Sequence, residues 1–162
     1  MAATYTPIAS ITLGATATSV TFSSIPQTYT DLILVTNVAS TGTADMDIRV
    51  NSDTGSNYGW TALSGSGSAA VNARGSNDSK FRADQYGIIT TAFNQMNIVQ
   101  FMNYSNSTTY KTFISRASNA SSGTDLTVGT WRSTSAITTI TVINTLITGS
   151  TLNLYGILGA NA

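Results

Sequence analysis

The stretch "DMDIRVNSDTGSNYGW", residues 45–60, decides the fold. Its first six residues alternate without a break. Met46, Ile48 and Val50 point one way; Asp45, Asp47 and Arg49 point the other. A period of two is the period of a strand, with one face on a core and the other in water or against a partner. The next residues, "NSDTGSN", are turn formers, because Asn, Asp and Gly bond their own backbone or tolerate positive φ. Tyr58 and Trp60 lie two apart and share a face of the strand that follows. Strand, turn, strand is therefore the unit to look for elsewhere.

It recurs along the chain. "SVTF" places Val20 and Phe22 on one side, "DLTVGTW" places Leu126 and Val128 on one side, and "TLNLYGI" sets Leu152 and Leu154 inward against Asn153 and Tyr155. Three segments, 31–38, 97–104 and 136–147, are apolar on both faces, as are strands that sit centrally in a layered β protein or turn one face to another subunit. Turn-forming clusters fall at 39–44, 51–57, 64–79, 105–109 and 118–124. The spacing predicts about eight to ten antiparallel strands in an all-β sandwich of jelly-roll type. The long Gly-Ser stretch 64–79 is expected as a loop at one end, and a short helical turn is a second option near 78–85. Residues 1–7 are expected as an N-terminal arm, ending at Pro7, and 8–162 as a single domain.

Composition limits the chemistry. The 162 residues contain no Cys, no His and no Glu, and only 9% are charged. About 30% are Ser or Thr, which suit a pleated half-buried surface. Without Cys or His there is no thiolate or imidazole site for zinc and no histidine base to activate a hydroxyl. All seven acids are Asp; Asp45 and Asp47 share a strand face, but it is read as the ordinary solvated face of an alternating strand and not as the carboxylate pair glycoside hydrolysis uses. A calcium loop starting at Asn51 would need a bidentate Glu at its twelfth position, which is Ala62. The chain is expected to be no enzyme and to hold no metal or cofactor. Seven cations against seven anions offer no basic face for nucleic acid or an anionic membrane. Arg49 and Arg116 lie inside strands and are expected to pair with Asp45, Asp47 or a neighbouring subunit's carbonyls. "MAATYTPIASITLGA" lacks the basic start and long apolar run of a signal peptide. The four N-x-S/T sequons, from Asn77, Asn103, Asn106 and Asn119, follow from the abundance of Ser and Thr. Little like-charge repulsion keeps copies of such a chain apart, so association with other chains is expected.

Three stretches taken together, "FSSIPQTYTDLILV" (22–35), "IRVNSDTGSNYGW" (48–60) and "ITGSTLNLYGI" (147–157), resemble a group of small tailed-bacteriophage virion proteins. The resemblance spans roughly residues 8 to 157. It implies a jelly-roll β-sandwich, often trimeric, that serves as capsid decoration, head-fibre or tail-fibre-associated protein. It carries over no catalytic residue. The expectation is a virion structural protein, assembled in the host cytoplasm, that binds the outer capsid shell as an oligomer, expected to be a trimer, through the major capsid protein or other virion proteins, and stabilises the head. The alternative is a tail-fibre or tail-tip receptor-binding domain, contacting host-surface glycan through Tyr58, Trp60 and Asn72. Phe101, Met102, Ile140 and Val142 are expected at the contact between copies.

Overall fold

The structure, a computed structural model, describes residues 4–86, 89–92 and 94–159. Among them every regular element is a strand. In chain order these are β1 (Tyr5–Thr12), β2 (Val20–Phe22), β3 (Asp31–Val38), β4 (Asp47–Val50), β5 (Tyr58–Gly65), β6 (Ala70–Asp78), β7 (Phe81–Arg82), β8 (Gln95–Met102), β9 (Lys111–Asn119), β10 (Gly123–Trp131), β11 (Ile140–Val142) and β12 (Thr151–Ile157). An eight-stranded sheet runs β1-β12-β3-β8-β9-β10-β5-β6, and a four-stranded sheet runs β2-β11-β4-β7. All ladders are antiparallel. The expected all-β antiparallel sandwich is what the chain forms.

Among the described residues the strands number twelve, above the expected range, for two reasons. The stretch 64–79 is no loop: it closes a hairpin through Ser66–Ala69 and returns as β6, paired with β5 from Gly65↔Ala70 to Tyr58↔Asp78. Its small polar residues hid it, since alternation between Ser, Gly, Ala and Asn carries little hydrophobic contrast. The stretch near 78–85 is extended and contributes β7, with the Ala83 amide bonded to the Met46 carbonyl. In 136–147 only Ile140–Val142 is strand. Tyr5, Thr6 and Pro7, assigned to an arm, already pair with Ile157, Gly156 and Tyr155 in β1.

The chain moves between the sheets as β1, β3, β8 and β12 alternate with β2, β4, β7 and β11. Two hairpins, β5–β6 and β9–β10, are added to the large sheet on its β8 side. The eight-stranded sheet thus has a frame half (β1, β12, β3, β8) and an added half (β9, β10, β5, β6). The core between the sheets holds Leu32, Leu34, Val99, Phe101, Leu152 and Leu154 from the large sheet, and Val20, Phe22, Ile48, Val50, Ile140 and Val142 from the small one, all buried. At roughly 2 kcal/mol for each large aliphatic side chain, this is the main force holding the layers together. The central placing of β3 and β8 agrees with their two-sided apolar sequences.

The small sheet is half as wide as the large one, and its edge strand β7 reaches the added half. The Phe81 ring lies against Gly129, where a Cβ would come within 2.4 Å of it, so only glycine admits the ring there. Phe81 meets Phe113 edge to face at 5.2 Å, and Phe113 meets Phe101 the same way at 5.1 Å. These rings tie frame and added hairpins into one core.

Candidate functional site

The 51–57 turn shows how the sequence is used locally. Asn51 and Ser52 take left-handed backbone, φ 50° and 54°. The Asn51 carboxamide oxygen accepts the amides of Thr138 and Thr139, and its Nδ2 donates to the Ala136 carbonyl. Asp53 accepts Trp131 Nε1–H at 2.6 Å, Asn57 Nδ2–H at 2.8 Å and the Gly55 amide at 2.7 Å. Burial alone would push the Asp53 carboxyl up; these three donors outweigh it and hold it below the usual carboxylate range. Tyr58 is fully buried, and its hydroxyl accepts the Val50 amide and faces the Val50 carbonyl. Burial pushes its phenol up to about 12. The oxygens that suggested a calcium loop thus bind the turn to β10 and to the sheet beneath.

Trp60 is 9% exposed. Its Nε1–H donates to Asp78 at 2.7 Å, and the Arg82 guanidinium sits 5.4 Å from its ring centre. Trp60 and Tyr58 point into the sandwich, whereas Asn72 is exposed on β6 opposite Leu63 on the outer face. The three residues expected to meet a glycan therefore do not share a surface. Of the four expected at a contact between copies, Phe101, Ile140 and Val142 have no exposure and belong to the core of one chain. Met102 alone is on the outer face, half-buried. A two-sided apolar strand was read as an intermolecular surface, but here the small sheet or the neighbouring strands cover it.

The strand that opened the sequence reading is also corrected in part. Met46, Ile48 and Val50 are buried as expected. Asp47, expected on a solvated face, is buried too, paired with Lys80 at 2.6 Å and near Arg82 at 4.0 Å. Asp45 pairs with Arg82 at 3.1 Å. Arg49 takes neither acid; its Nε–H donates to the Ser79 carbonyl.

The outer face of the added half is the surface that composition alone did not reveal. Register places Leu63, Leu126, Arg116 and Ile98 side by side across β5, β10, β9 and β8. The next row holds Thr61, Val128, Ile114 and Gln100, and Met96 lies one row the other way beside Ser118. Leu63 is 63% exposed, Met96 46%, Val128 44% and Leu126 43%. Underneath, the inner face toward the same end carries Ala62, Ser64, Ser115, Ala117, Asp125 and Thr127, all buried. The alternation in "DLTVGTW" is as read, and the structure supplies its orientation: Asp125 and Thr127 point in, Leu126 and Val128 out.

What lets a polar inner face be buried is the segment after β7. Asp84, with no exposure, accepts the Met46 amide at 3.0 Å and a hydrogen bond from Gln95 Nε2. Asp125 accepts the amides of Gln85 and Tyr86 at 3.0 and 2.8 Å. Burial raises the Asp84 carboxyl well above its ordinary value, against the Gln95 and Met46 hydrogen bonds that favour its charge, while Asp45 and Asp125 push it further up. These are structural bonds, made within the chain. Among the described residues no group of three or more Asp is placed to hold a metal ion. Comparison with protein-family models, with curated proteins and with solved structures finds no match to this chain.

Proposed function

We propose that this chain is a structural protein of a bacteriophage virion: a capsid decoration protein that binds the outer shell as a homo-oligomer and stabilises the head. The single observation that carries the reading is the apolar outer face of the added half. Soluble monomers rarely leave a contiguous patch of this kind uncovered. Here four large side chains, each over 40% exposed, lie on one ladder grid with Arg116 and Arg74 among them and Arg132 at the margin beside Gly59.

The occupant proposed is another copy of the chain. The five strands from β8 to β6, about 4.8 Å apart, and about seven residues at about 3.4 Å make a face of roughly 550 Å² before side-chain relief. With relief counted, that approaches the ~800 Å² per partner of a standard interface. Zero net charge removes the repulsion that would oppose such packing. The resemblance to phage virion proteins supplies the context and the expected trimer. The frame supports it: β1-β12-β3-β8 over β2-β11-β4-β7, joined by alternate crossings, is read as a jelly roll with two inserted hairpins. Contacts repeated over a shell add through multivalency. The alternative as a glycan-binding tip loses its aromatic platform, because Tyr58 is buried and Trp60 is covered.

Quantifying the chain in purified particles tests the reading. A copy number on the scale of the capsid lattice, and heads that rupture at lower temperature without it, are expected. Absence from particles, or a few copies confined to the tail, would overturn it.

A further inference from the structure

On the opposite side of the sandwich, the outer face of the small sheet holds a cleft of about 250 Å³, lined by Ser19, Arg49, Ser52, Thr54, Thr141 and Ile143. Thr141 is the direct register partner of Arg49, and the left-handed residues Asn51 and Ser52 turn the chain so that Ser52 and Thr54 form the rim. The charges of this sheet explain why Arg49 matters. The acids of the β4 region, Asp45 and Asp47, are matched by Arg82 and Lys80. Arg49 has no carboxylate within 4.0 Å among the described residues, and its one hydrogen bond uses Nε. Both terminal nitrogens of its guanidinium are left over. Asp53, next to the rim, makes no ion pair with it within 4.0 Å; its oxygens accept from Trp131, Asn57 and Gly55.

An uncompensated guanidinium offers a planar fork that matches an oxyanion in two parallel hydrogen bonds. Around it stand four hydroxyls, which donate and accept, and the apolar side of Ile143. The volume falls below the 300–1,000 Å³ usual for drug-sized ligands and suits a group of about one sugar ring. We infer that this cleft binds an acidic saccharide: the oxyanion docks on Arg49, the ring hydroxyls meet Ser19, Ser52, Thr54 and Thr141, and a C–H face rests on Ile143. The oxyanion is a sugar carboxylate or a sugar phosphate; both offer the same pair of acceptors. This site is on a different sheet from the apolar face and does not depend on the assembly proposed above.

The test is an NMR titration of the full chain with glucuronate, glucose 6-phosphate and glucose, following the Arg49 Nε–H and the amides of Ser52, Thr54 and Thr141. Saturating shifts with glucuronate identify a sugar acid as the ligand class; saturating shifts with glucose 6-phosphate alone identify a phosphosugar. Either supports the site, provided that glucose binds at least about tenfold more weakly, the lower end for loss of a charge-assisted contact. Arg49→Gln should abolish the shifts, and Arg49→Lys, which keeps the charge without the fork, should weaken them. Thr54→Val leaves Arg49 in place and should also weaken binding, which guards against an Arg49 variant that merely unfolds. No saturable shift with either anion, or equal binding of glucose, would overturn the inference, whatever the copy number in particles.

Discussion

The two halves of the eight-stranded sheet obey opposite rules. In the frame half the inner face is Leu32, Leu34, Val99, Phe101, Leu152 and Leu154, and the outer face is half-buried Asn37, Asn153 and Tyr155 beside Ile33 and Val35. In the added half the large aliphatics Leu63, Leu126 and Val128 face out, over an interior that turns small and polar at one end. Both halves alternate with the same period, but in the added half the large inward side chains, Tyr58, Trp60, Phe113 and Trp131, gather toward the other end. A strand buries its apolar face against whatever will cover it. For the frame the cover is the small sheet. For the added half the small sheet runs out at β7, and the remaining cover is a polar segment anchored at Asp84 and Asp125. The apolar phase is then free to face another chain.

The comparison is sharpest at Phe101. Its ring lies at the junction of the halves, packed on Phe113. Phe101→Ala should cost about 3–5 kcal/mol of stability, as large buried aromatics do. Denaturant unfolding of the isolated chain checks it. The loss should appear in folding and not in association of the folded chain; an unchanged midpoint would mean that the frame half is not the cohesive one.

The second effect is at Asp53, the anchor of the 51–57 turn onto β10. Asp53→Ala strips Trp131 Nε1–H of its acceptor and should cost about 2 kcal/mol, in the range for hydrogen bonds to a charged group. The pH dependence follows in sign. The folded-state pKa is lowered, so the contribution is present above the unfolded carboxylate value, near 3.9, and is lost as pH falls toward the folded value. Urea midpoints between about pH 6 and pH 2 should fall less steeply for Asp53→Asn than for the parent.

These residues also mark how far the sequence could be read. The alternation in "DMDIRV", the turn at 51–57 and the central β3 and β8 were legible, because hydrophobic contrast and turn chemistry are local. The phase of β10 was not: which face of an alternating strand is inward depends on what lies above it, and that is a tertiary fact. The β6 strand was missed because Ser, Gly and Asn alternate without contrast. Six of the seven candidate site residues, all but Asn72, are large and apolar or aromatic, and that property sends most of them to the core. Leu126 and Val128 were noted in the sequence, but nothing local indicated that they emerge. Arg49 was noted as well, but its lack of a carboxylate partner among the described residues becomes visible only when Lys80 and Arg82 take both neighbouring acids.

Asp84 tests the polar cover of the added half, and its sign opposes that of Asp53. With the folded-state pKa raised, its favourable contribution is complete below the unfolded value and declines as pH rises through the folded one. Asp84→Asn keeps an acceptor for the Met46 amide and can pair with Gln95 after that amide flips. Its thermal midpoint should therefore decline less than the parent's as pH is raised from about 4 toward neutrality. A parallel decline in both would show that burial of Asp84 is not what limits the cover.

The smallest effect on stability belongs to the outer face, and there the halves part most clearly. Leu63→Thr, Leu126→Thr and Val128→Thr each keep a residue that suits a strand and remove exposed apolar surface. Each should change the stability of the isolated chain by less than about 0.5 kcal/mol, as surface substitutions do. Their combined effect on association should be large, since they empty the centre of the apolar grid. Sedimentation of the parent and the triple variant separates the two quantities. Intact folding with a shift from oligomer to monomer supports the assigned face. A triple variant that still assembles would move the contact elsewhere, and the long edge strand β6, which carries only Arg74 and Asp78 as charges across nine residues, would be the next surface to alter.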